Sequence, residues 1–269
     1  MSGHSPLTEF DTCMSQTPIP RRLARALLLA ALACLSLRAG AVEELRIVTE
    51  ELPPYNMTQN GQITGLSTEV VRAVLKEVGM QGNIQSMPWA RAYDIALNAD
   101  NVMIYSITRT AQREKLFKWV GVIAPTHWYL FSRTGSNIHL KSLDDARKYQ
   151  IATVNEDAGE QYLVSHGFAI GKNLQSSNKY EANYEKLKLG RVELWIANEL
   201  NAHYLVRQGG AEPAKMVSRA LALPDLGSEG GLDMAFSLKT PDAVVERFRK
   251  ALETIKKNGT YDGLQKKWL

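Results

Sequence analysis

The chain has 269 residues, of which 45% are apolar and 22% are charged, and its formal net charge is +4. This composition is typical of a globular protein and excludes an intrinsically disordered chain. The first 41 residues hold four basic and two acidic side chains, so the other 228 carry 28 basic and 26 acidic ones, a balance that gives no electrostatic reason to expect nucleic-acid binding. Two cysteines are too few for a disulfide scaffold or a zinc finger.

The amino terminus has the pattern of a secretory signal peptide. Three arginines between residues 21 and 25 precede an uncharged run, 26–37, that is too short for a membrane span of ~20 residues. An Ala-Gly-Ala sequence ending at Ala41 matches a small-residue cleavage site. We therefore expect cleavage near Ala41 and a periplasmic location. Two alternatives stay open, namely a true start at Met14 and lipid attachment at Cys34.

Strands alternate with helices along the rest of the chain. The predicted strands are 45–49, 102–107, 128–132, 151–154, 192–197 and 232–238. The first predicted helix is capped by Ser67 or Thr68 and ended by Gly79. The later predicted helices are 88–97, 159–166, 181–189, 199–208 and 240–257. This alternation indicates α/β architecture with mostly parallel sheets. Two such blocks meet near residues 125–135, and a late strand follows the glycine-rich stretch 227–231. The chain is therefore predicted to cross twice between two lobes that enclose a cleft.

The common enzyme signatures are missing from the sequence. It contains no G-x-G-x-x-G, H-E-x-x-H or G-x-S-x-G motif, and its histidines lack the spacing of metal ligands. The segment 167–173 has glycines and a lysine, but its spacing differs from a phosphate loop and predicts a helix end followed by a turn. No cofactor and no metal are therefore expected.

Four segments, in order along the chain, resemble one family. They are residues 51–55 (ELPPY), 61–69 (GQITGLSTE), 106–120 (SITRTAQREKLFKWV) and 258–268 (NGTYDGLQKKW). Together they are similar to the family 3 extracellular solute-binding proteins, the polar amino-acid-binding components of ABC importers. The resemblance extends over residues 43–269.

This resemblance implies the type II periplasmic binding protein fold, with two α/β lobes joined by two crossover strands and a ligand cleft between them. It implies a signal peptide at 1–41, a first lobe built from 42–126 and 231–269, and a second lobe at 127–230. Ligand would bind at the carboxyl ends of the strands and be enclosed when the lobes close. We expect a monomer that delivers a small-molecule ligand to an ABC permease.

The resemblance also implies a site for the carboxylate of the ligand. It assigns Arg113 to that carboxylate, with Ser106, Thr108 and Thr110 as further donors. A guanidinium group presents a planar fork that matches a carboxylate in bidentate fashion. Arg109 is an alternative or second anion contact, and a surface ion pair with Glu114 is the alternative role of Arg113.

Four other positions in the first lobe are candidate ligand contacts. The resemblance puts Trp89 where the family has an aromatic side chain against the ligand, and ordinary core packing is the alternative. Arg91 is expected either to reach the cleft or to lie on a solvated helix face. Glu51 and Tyr55 flank the first loop of this lobe, where each is a candidate contact.

The second lobe departs from the family pattern at two places. Glu156-Asp157-Ala158 replaces the family's Gly-Ser/Thr-Thr, and Asn198 stands where amino-acid binders have an aspartate that pairs with the ligand ammonium. An asparagine carries no charge for that pairing. Asp157 or Glu51 is therefore expected to take over the cation contact, and a polyamine-like or modified amino-acid ligand stays open.

Three functions follow from this reading of the sequence. The first is a periplasmic receptor that captures a small polar, carboxylate-bearing solute for an ABC permease. The second is an enzyme similar to cyclohexadienyl dehydratases, which use the same scaffold and would need an acid or base in the cleft. The third is a ligand-binding partner of a membrane sensor. A neighbouring permease gene or receptor gene would distinguish the first function from the third.

Overall fold

The structure, a computed structural model, describes residues 45–227 and 230–269. The predicted signal peptide, with its cleavage site near Ala41, lies outside the described residues, as do Met14 and Cys34. Within the described ranges, every helix is too short or too polar to cross a membrane.

Twelve strands and eight α-helices are formed by the described residues. The strands are β1 (Arg46–Thr49), β2 (Met57–Gln59), β3 (Gln62–Thr64), β4 (Asn83–Ser86), β5 (Val102–Ile107), β6 (Phe117–Pro125), β7 (Trp128–Arg133), β8 (Ile151–Val154), β9 (Leu174–Ser177), β10 (Leu194–Asn198), β11 (Val217–Ala222) and β12 (Gly231–Ser237). The helices are α1 (Leu66–Val78), α2 (Trp89–Asn98), α3 (Ala158–Ser165), α4 (Tyr180–Lys188), α5 (Glu199–Gln208), α6 (Pro213–Met216), α7 (Asp242–Lys257) and α8 (Thr260–Trp268), with a 3₁₀ helix at Leu143–Lys148.

The strands form two five-stranded sheets with equivalent topology. The first sheet has the order β4-β1-β5-β12-β6, and the second has the order β9-β8-β10-β7-β11. In each sheet the first three strands are parallel, and the fourth runs antiparallel to both of its neighbours. Because parallel strands end at the same edge of a sheet, each sheet presents three adjacent carboxyl ends along one edge.

The chain passes between the two sheets twice. The first passage joins β6 directly to β7, and the second joins β11 to β12. A backbone hydrogen bond from the Thr126 N–H to the Gly230 carbonyl (3.0 Å) ties the two passages together. The fourth strand of each sheet is the one that arrives from the other sheet, so the predicted double crossing is built into both sheets.

Helix α1 shows how the apolar pattern and a glycine set the ends of an element. Val70, Val71 and Val74 are fully buried, as the spacing of apolar residues predicts. Gly79 ends the helix in the left-handed conformation, at φ 71°. The expectation that Ser67 or Thr68 caps the helix is wrong, because both are buried inside it and the N-cap is Gly65.

Two other helices begin differently. Ser142 and Asp145 form a capping box that begins a 3₁₀ helix. Pro88 is the N-cap of α2 rather than its first helical residue.

Candidate functional site

A small cavity lies between the two sheets, where the carboxyl ends of their parallel strands face each other. Its volume is about 10 Å³. The side chains around it are those of Glu50, Leu52, Trp89, Ser106, Thr108, Arg113, Trp128, Asp157, Ala158, Tyr180, Asn198 and Leu232. Glu50 and Thr108 directly follow a strand and Asn198 ends one, which is where open α/β sheets place ligand sites.

Arg113 is the cation of this cavity. Its side chain is 1% exposed and lies against two aromatic rings, 5.2 Å from the Trp89 ring centroid and 4.7 Å from that of Tyr93. Burial lowers the pKa of the guanidinium group, and the nearby Tyr93 and Asp157 raise it again. An arginine keeps its charge under these conditions, so the cavity has a fixed positive charge at one end.

The guanidinium group of Arg113 connects the two lobes. Its Nε donates to Oε1 of Gln161 (3.0 Å) and its Nη2 donates to the carbonyl of Glu156 (3.1 Å), both in the second lobe. The indole N–H of Trp89 donates to the same carbonyl (2.7 Å). Glu156 has a left-handed backbone, φ 59°, in the turn between β8 and α3. The lobes are therefore in contact, and these three N–H donors would lose their acceptors when the lobes separate.

Two carboxyl groups lie in the same cavity. Glu50 follows β1 in the first lobe and is 5% exposed, and Asp157 follows β8 in the second lobe and is 2% exposed. The hydroxyl of Tyr180 lies 3.3 Å from an oxygen of each. Burial raises the pKa of Glu50 well above its usual range, and it raises the pKa of Asp157 to about 7.

The position of Asp157 is fixed by helix α3, of which it is the N-cap. One of its oxygens accepts a hydrogen bond from the Glu160 N–H (2.7 Å), which leaves the other oxygen for Tyr180. Glu160 in turn accepts from the Glu156 N–H (2.9 Å) and from the hydroxyl of Thr153. This reciprocal capping holds the Glu156–Asp157 turn against the cavity.

The first chain crossing contacts the cavity residue Asn198 through Thr126. Its hydroxyl lies 3.2 Å from the Tyr55 hydroxyl and accepts from Nδ2 of Asn198 at 2.8 Å. Among residues 45–227 and 230–269, Oδ1 of Asn198 and the indole N–H of Trp128 make no hydrogen bond, although both atoms are buried. The cavity thus has a buried acceptor and a buried donor among its lining residues that a polar ligand could satisfy.

The structure brings six of the predicted site residues to the cavity. They are Ser106, Thr108, Arg113, Trp89, Asp157 and Asn198. Ser106 has a positive φ of 60° and its hydroxyl donates to Oδ1 of Asn56, so this side chain already has a partner within the first lobe.

The other five predicted residues lie elsewhere. Tyr55 is buried and its hydroxyl donates to the Pro125 carbonyl (3.1 Å) at the crossing. Arg91 is exposed on α2. Thr110 accepts from the Arg113 N–H at 3.3 Å and is partly exposed. Arg109, the alternative anion contact, instead makes a two-point ion pair with Glu114 (2.6 and 2.8 Å).

Glu51 lies at an outer pocket rather than in the cavity. Its oxygens accept from the N–H and hydroxyl of Thr58 (2.8 and 2.7 Å) and from the hydroxyl of Ser86 (2.6 Å). The pocket has a volume of about 380 Å³, and it shares Glu50, Trp89 and Tyr180 with the cavity. The two spaces are therefore adjacent.

Sequence reasoning missed Glu50, Tyr93, Trp128 and Tyr180 as residues around the site. Glu50 had a usable signal, since it is the first residue after a buried strand whose carboxyl end must face the cleft. Tyr180 follows β9, a strand that the sequence pattern did not predict. Within the described ranges, no cluster of histidine, cysteine and acidic side chains could hold a metal ion.

Two lobes of equivalent sheet order, joined by two crossings around a polar cavity, define the type II periplasmic binding protein fold. The model of the bacterial extracellular solute-binding proteins, family 3, matches residues 45–269. The chain belongs to this family, and the resemblance drawn from its motifs is confirmed.

Three known proteins show what the chain is similar to. The arginine-binding extracellular protein ArtP of Bacillus subtilis (strain 168) is 22% identical, over 80% of this chain and 81% of its own length. A probable amino-acid ABC transporter-binding protein of Haemophilus influenzae is 24% identical, over 78% of this chain and 77% of its own length. The solved sensor domain of a histidine kinase, similar to periplasmic binding proteins, matches with a TM-score of 0.74 at 18% identity, over 84% of this chain and 96% of its own. The two sequence relatives are named as binding proteins rather than enzymes.

Proposed function

We propose that the protein is a periplasmic receptor for an amino acid with a positively charged side chain, which it encloses between its lobes and delivers to an ABC permease. One observation carries the proposal. A buried guanidinium group and two buried carboxyl groups line the same interlobe cavity. The ligand that complements this set of charges has one carboxylate and more than one cationic group.

In this proposal Arg113 binds the ligand carboxylate. Its contacts with Gln161 and the Glu156 carbonyl join it to the second lobe. They would break when the lobes open, which exposes the guanidinium fork to an incoming anion. The Trp89 and Tyr93 rings hold the guanidinium plane in place, so little side-chain entropy is lost on binding. Thr108 and Asn198 supply further polar contacts.

Glu50 and Asp157 bind the cationic groups of the ligand. Asp157 thereby takes the role that the sequence left to Asp157 or Glu51, in place of the charge that is lost at Asn198. Glu50 lines both the inner cavity and the outer pocket. A long cationic side chain could therefore extend past Glu50 toward the outer pocket. The arginine-binding function of the Bacillus relative makes L-arginine the first ligand to test.

Delivery to a permease follows from the family and from the transporter-binding relative in Haemophilus. The proposal includes export with cleavage near Ala41 and a monomeric receptor. It also includes lobe boundaries at 42–126 with 231–269 and at 127–230. The sensor-domain neighbour favours a second candidate, in which the same closure signals to a membrane receptor instead of a permease.

The test is isothermal titration calorimetry of the protein with L-arginine, L-lysine, L-glutamine and putrescine. We expect L-arginine to bind, and putrescine to bind weakly because it has no carboxylate. Arg113→Lys should lower the affinity for L-arginine by about 10- to 100-fold, because a charge-assisted hydrogen bond contributes ~1.5–3 kcal/mol. Recovery of unchanged prephenate and arogenate after incubation with the protein, measured by mass spectrometry, would separate a receptor from a dehydratase-like enzyme.

Arg109→Lys is the matched control. It changes the same functional group four residues away, in an ion pair with Glu114 at the surface. We expect its affinity to stay within twofold of the wild type. Equal losses in the two variants, or tight binding of putrescine that survives Arg113→Lys, would contradict the assignment of the carboxylate to Arg113.

A further inference from the structure

The charges that line the interlobe cavity do not balance when all of them are ionised. Glu50 and Asp157 would contribute two negative charges and Arg113 one positive charge. The neighbouring elements do not correct this excess, since Glu160 on α3 and Glu181 on α4 add negative potential at Asp157 and Glu50. Lys179 lines the outer pocket, where it faces Glu51 and Glu181 as well as Glu50. A net negative charge that is almost fully buried is costly.

The contacts of the Tyr180 hydroxyl indicate that one of the two carboxyl groups is protonated. It lies 3.3 Å from Oε1 of Glu50 and 3.3 Å from Oδ2 of Asp157. A phenol has one proton and can donate to only one of these carboxylates. The second contact is a hydrogen bond only if the other carboxyl group is itself protonated and donates to the phenol oxygen. Two ionised carboxylates would leave one oxygen facing the phenol oxygen with no proton between them.

We propose that Glu50 and Asp157 share one proton across Tyr180 in the closed molecule before ligand binds, and that a cationic group of the ligand replaces this proton. The second part rests on the proposed function. The proton leaves to solvent or buffer as the cation arrives, so the charge of the cluster stays the same. Burial raises the pKa of both carboxyl groups, and repulsion from Asp157 raises that of Glu50 further, which agrees with this assignment.

The exchange of the shared proton for a cationic group makes the affinity for the ligand depend on pH. A proton and a cationic ligand compete for the same carboxyl groups, so the affinity for L-arginine should rise with pH through the titration of the pair. Release of one proton corresponds to a change of up to about tenfold in affinity per pH unit. The sharing also links the lobes, because Glu50 and Asp157 come from different sheets.

Infrared difference spectroscopy of the protein without ligand tests the shared proton directly. We expect the wild type at pH 7 to show the carbonyl stretch of a protonated carboxyl group, and Glu50→Gln to lose most of it. Asp157→Asn should lower the pH at which the remaining acid titrates, since its nearest like charge is gone. Glu253→Gln, at an exposed ion pair on α7, is the matched control and should leave the spectrum unchanged.

A wild-type spectrum without an acid band at pH 7 would overturn the proposal. So would a band that survives in both cavity variants, or an unchanged titration in Asp157→Asn. The spectrum is recorded without ligand, so it decides the shared proton even if L-arginine fails to bind. In that case the proposed ligand is wrong while the result for the proton stands.

Discussion

At the scale of single residues, the site depends on polar groups that the fold has buried. Arg113 has lost its solvent and regains contacts from two rings, two carbonyls and one amide oxygen. Removing such a group leaves its partners unsatisfied, which costs more than the contact contributes. For this reason substitutions in the cavity should keep the shape of the side chain, as Glu50→Gln and Asp157→Asn do, or its charge, as Arg113→Lys does.

The pKa of Asp157 makes the stability of the protein depend on pH. Burial raises this pKa from 3.8 to about 7, so between these values the folded protein binds more protons than the unfolded chain. The free energy of unfolding should therefore fall as the pH rises across this window. Asp157→Asn, which keeps the N-cap of α3, should make that fall smaller. Urea unfolding at pH 5 and pH 8 measures the difference.

Asp145→Asn is the control for this effect. Hydrogen bonds from the backbone N–H groups of Lys141 and Ser142 lower the pKa of Asp145, so it is ionised throughout the window. This variant should leave the change between pH 5 and pH 8 as it is in the wild type. An Asp157→Asn protein whose stability falls as steeply as that of the wild type would show that Asp157 does not titrate there.

The contrast between Glu50 and Glu51 shows where residue-level prediction from sequence stops. The sequence placed an acidic residue of this loop among the candidate contacts. The structure brings Glu50 to the cavity and leaves Glu51 at the outer pocket with Thr58 and Ser86. Successive residues leaving a strand point in opposite directions, so an error of one position moves a side chain to the other side. The strand boundary is the feature that a single sequence locates least reliably.

At the scale of elements, the start of helix α1 depends on a glycine. Gly65 has φ 114°, and a Cβ atom there would lie 2.4 Å from the Tyr55 carbonyl oxygen. Gly65→Ala should therefore lower the free energy of unfolding by more than ~2 kcal/mol. The alanine would adopt a strained positive φ, and the backbone near Tyr55 would also have to move away from its Cβ atom. Thermal or urea unfolding checks this value.

Gly61→Ala separates the cost of a positive φ from the cost of the close approach to Tyr55. Gly61 also has a positive φ, 76°, but a Cβ atom there would meet no atom within 4 Å. Gly61→Ala should lower the free energy of unfolding by about 1 kcal/mol, the penalty of a left-handed backbone alone. Similar losses in the two variants would mean that the close approach to Tyr55 contributes nothing.

Strands and helices with strong apolar patterns were predicted well, and weakly patterned ones were missed. The predicted strands 102–107 and 151–154 coincide with β5 and β8, which are buried throughout. The strands β4, β9 and β11 are partly exposed and were not predicted. Partly exposed strands at sheet edges have short or mixed patterns, and their pairing partners are distant in sequence, so a local pattern carries little signal for them.

At the scale of the whole molecule, the site exists only because two sheets face each other. Glu50 and Asp157 are 107 positions apart, and Tyr180 contacts both. The alternation of elements and the late return of the chain were enough to predict the two lobes and the cleft. Which side chains meet across that cleft depends on how the two strand-end edges are aligned. That alignment is a tertiary property with no local signal.

Closure of the lobes is the motion that this arrangement implies. Asn201 donates to the Pro53 carbonyl (2.8 Å) and Trp89 donates to the Glu156 carbonyl, so these contacts join the lobes in addition to those of Arg113 and of Tyr180 with Glu50. A ligand that contacts both lobes should shift the population toward the closed form. Small-angle X-ray scattering should show a smaller radius of gyration with L-arginine than without it, and an unchanged radius would contradict ligand-driven closure.

The most direct measurement is a crystal structure of the protein grown with L-arginine. We expect the ligand carboxylate to lie within hydrogen-bonding distance of the Arg113 guanidinium group, and the cationic groups of the ligand to face Glu50 and Asp157 between the closed lobes. A ligand bound outside the cleft would contradict the proposed site. So would a ligand in the cleft with its carboxylate turned away from Arg113.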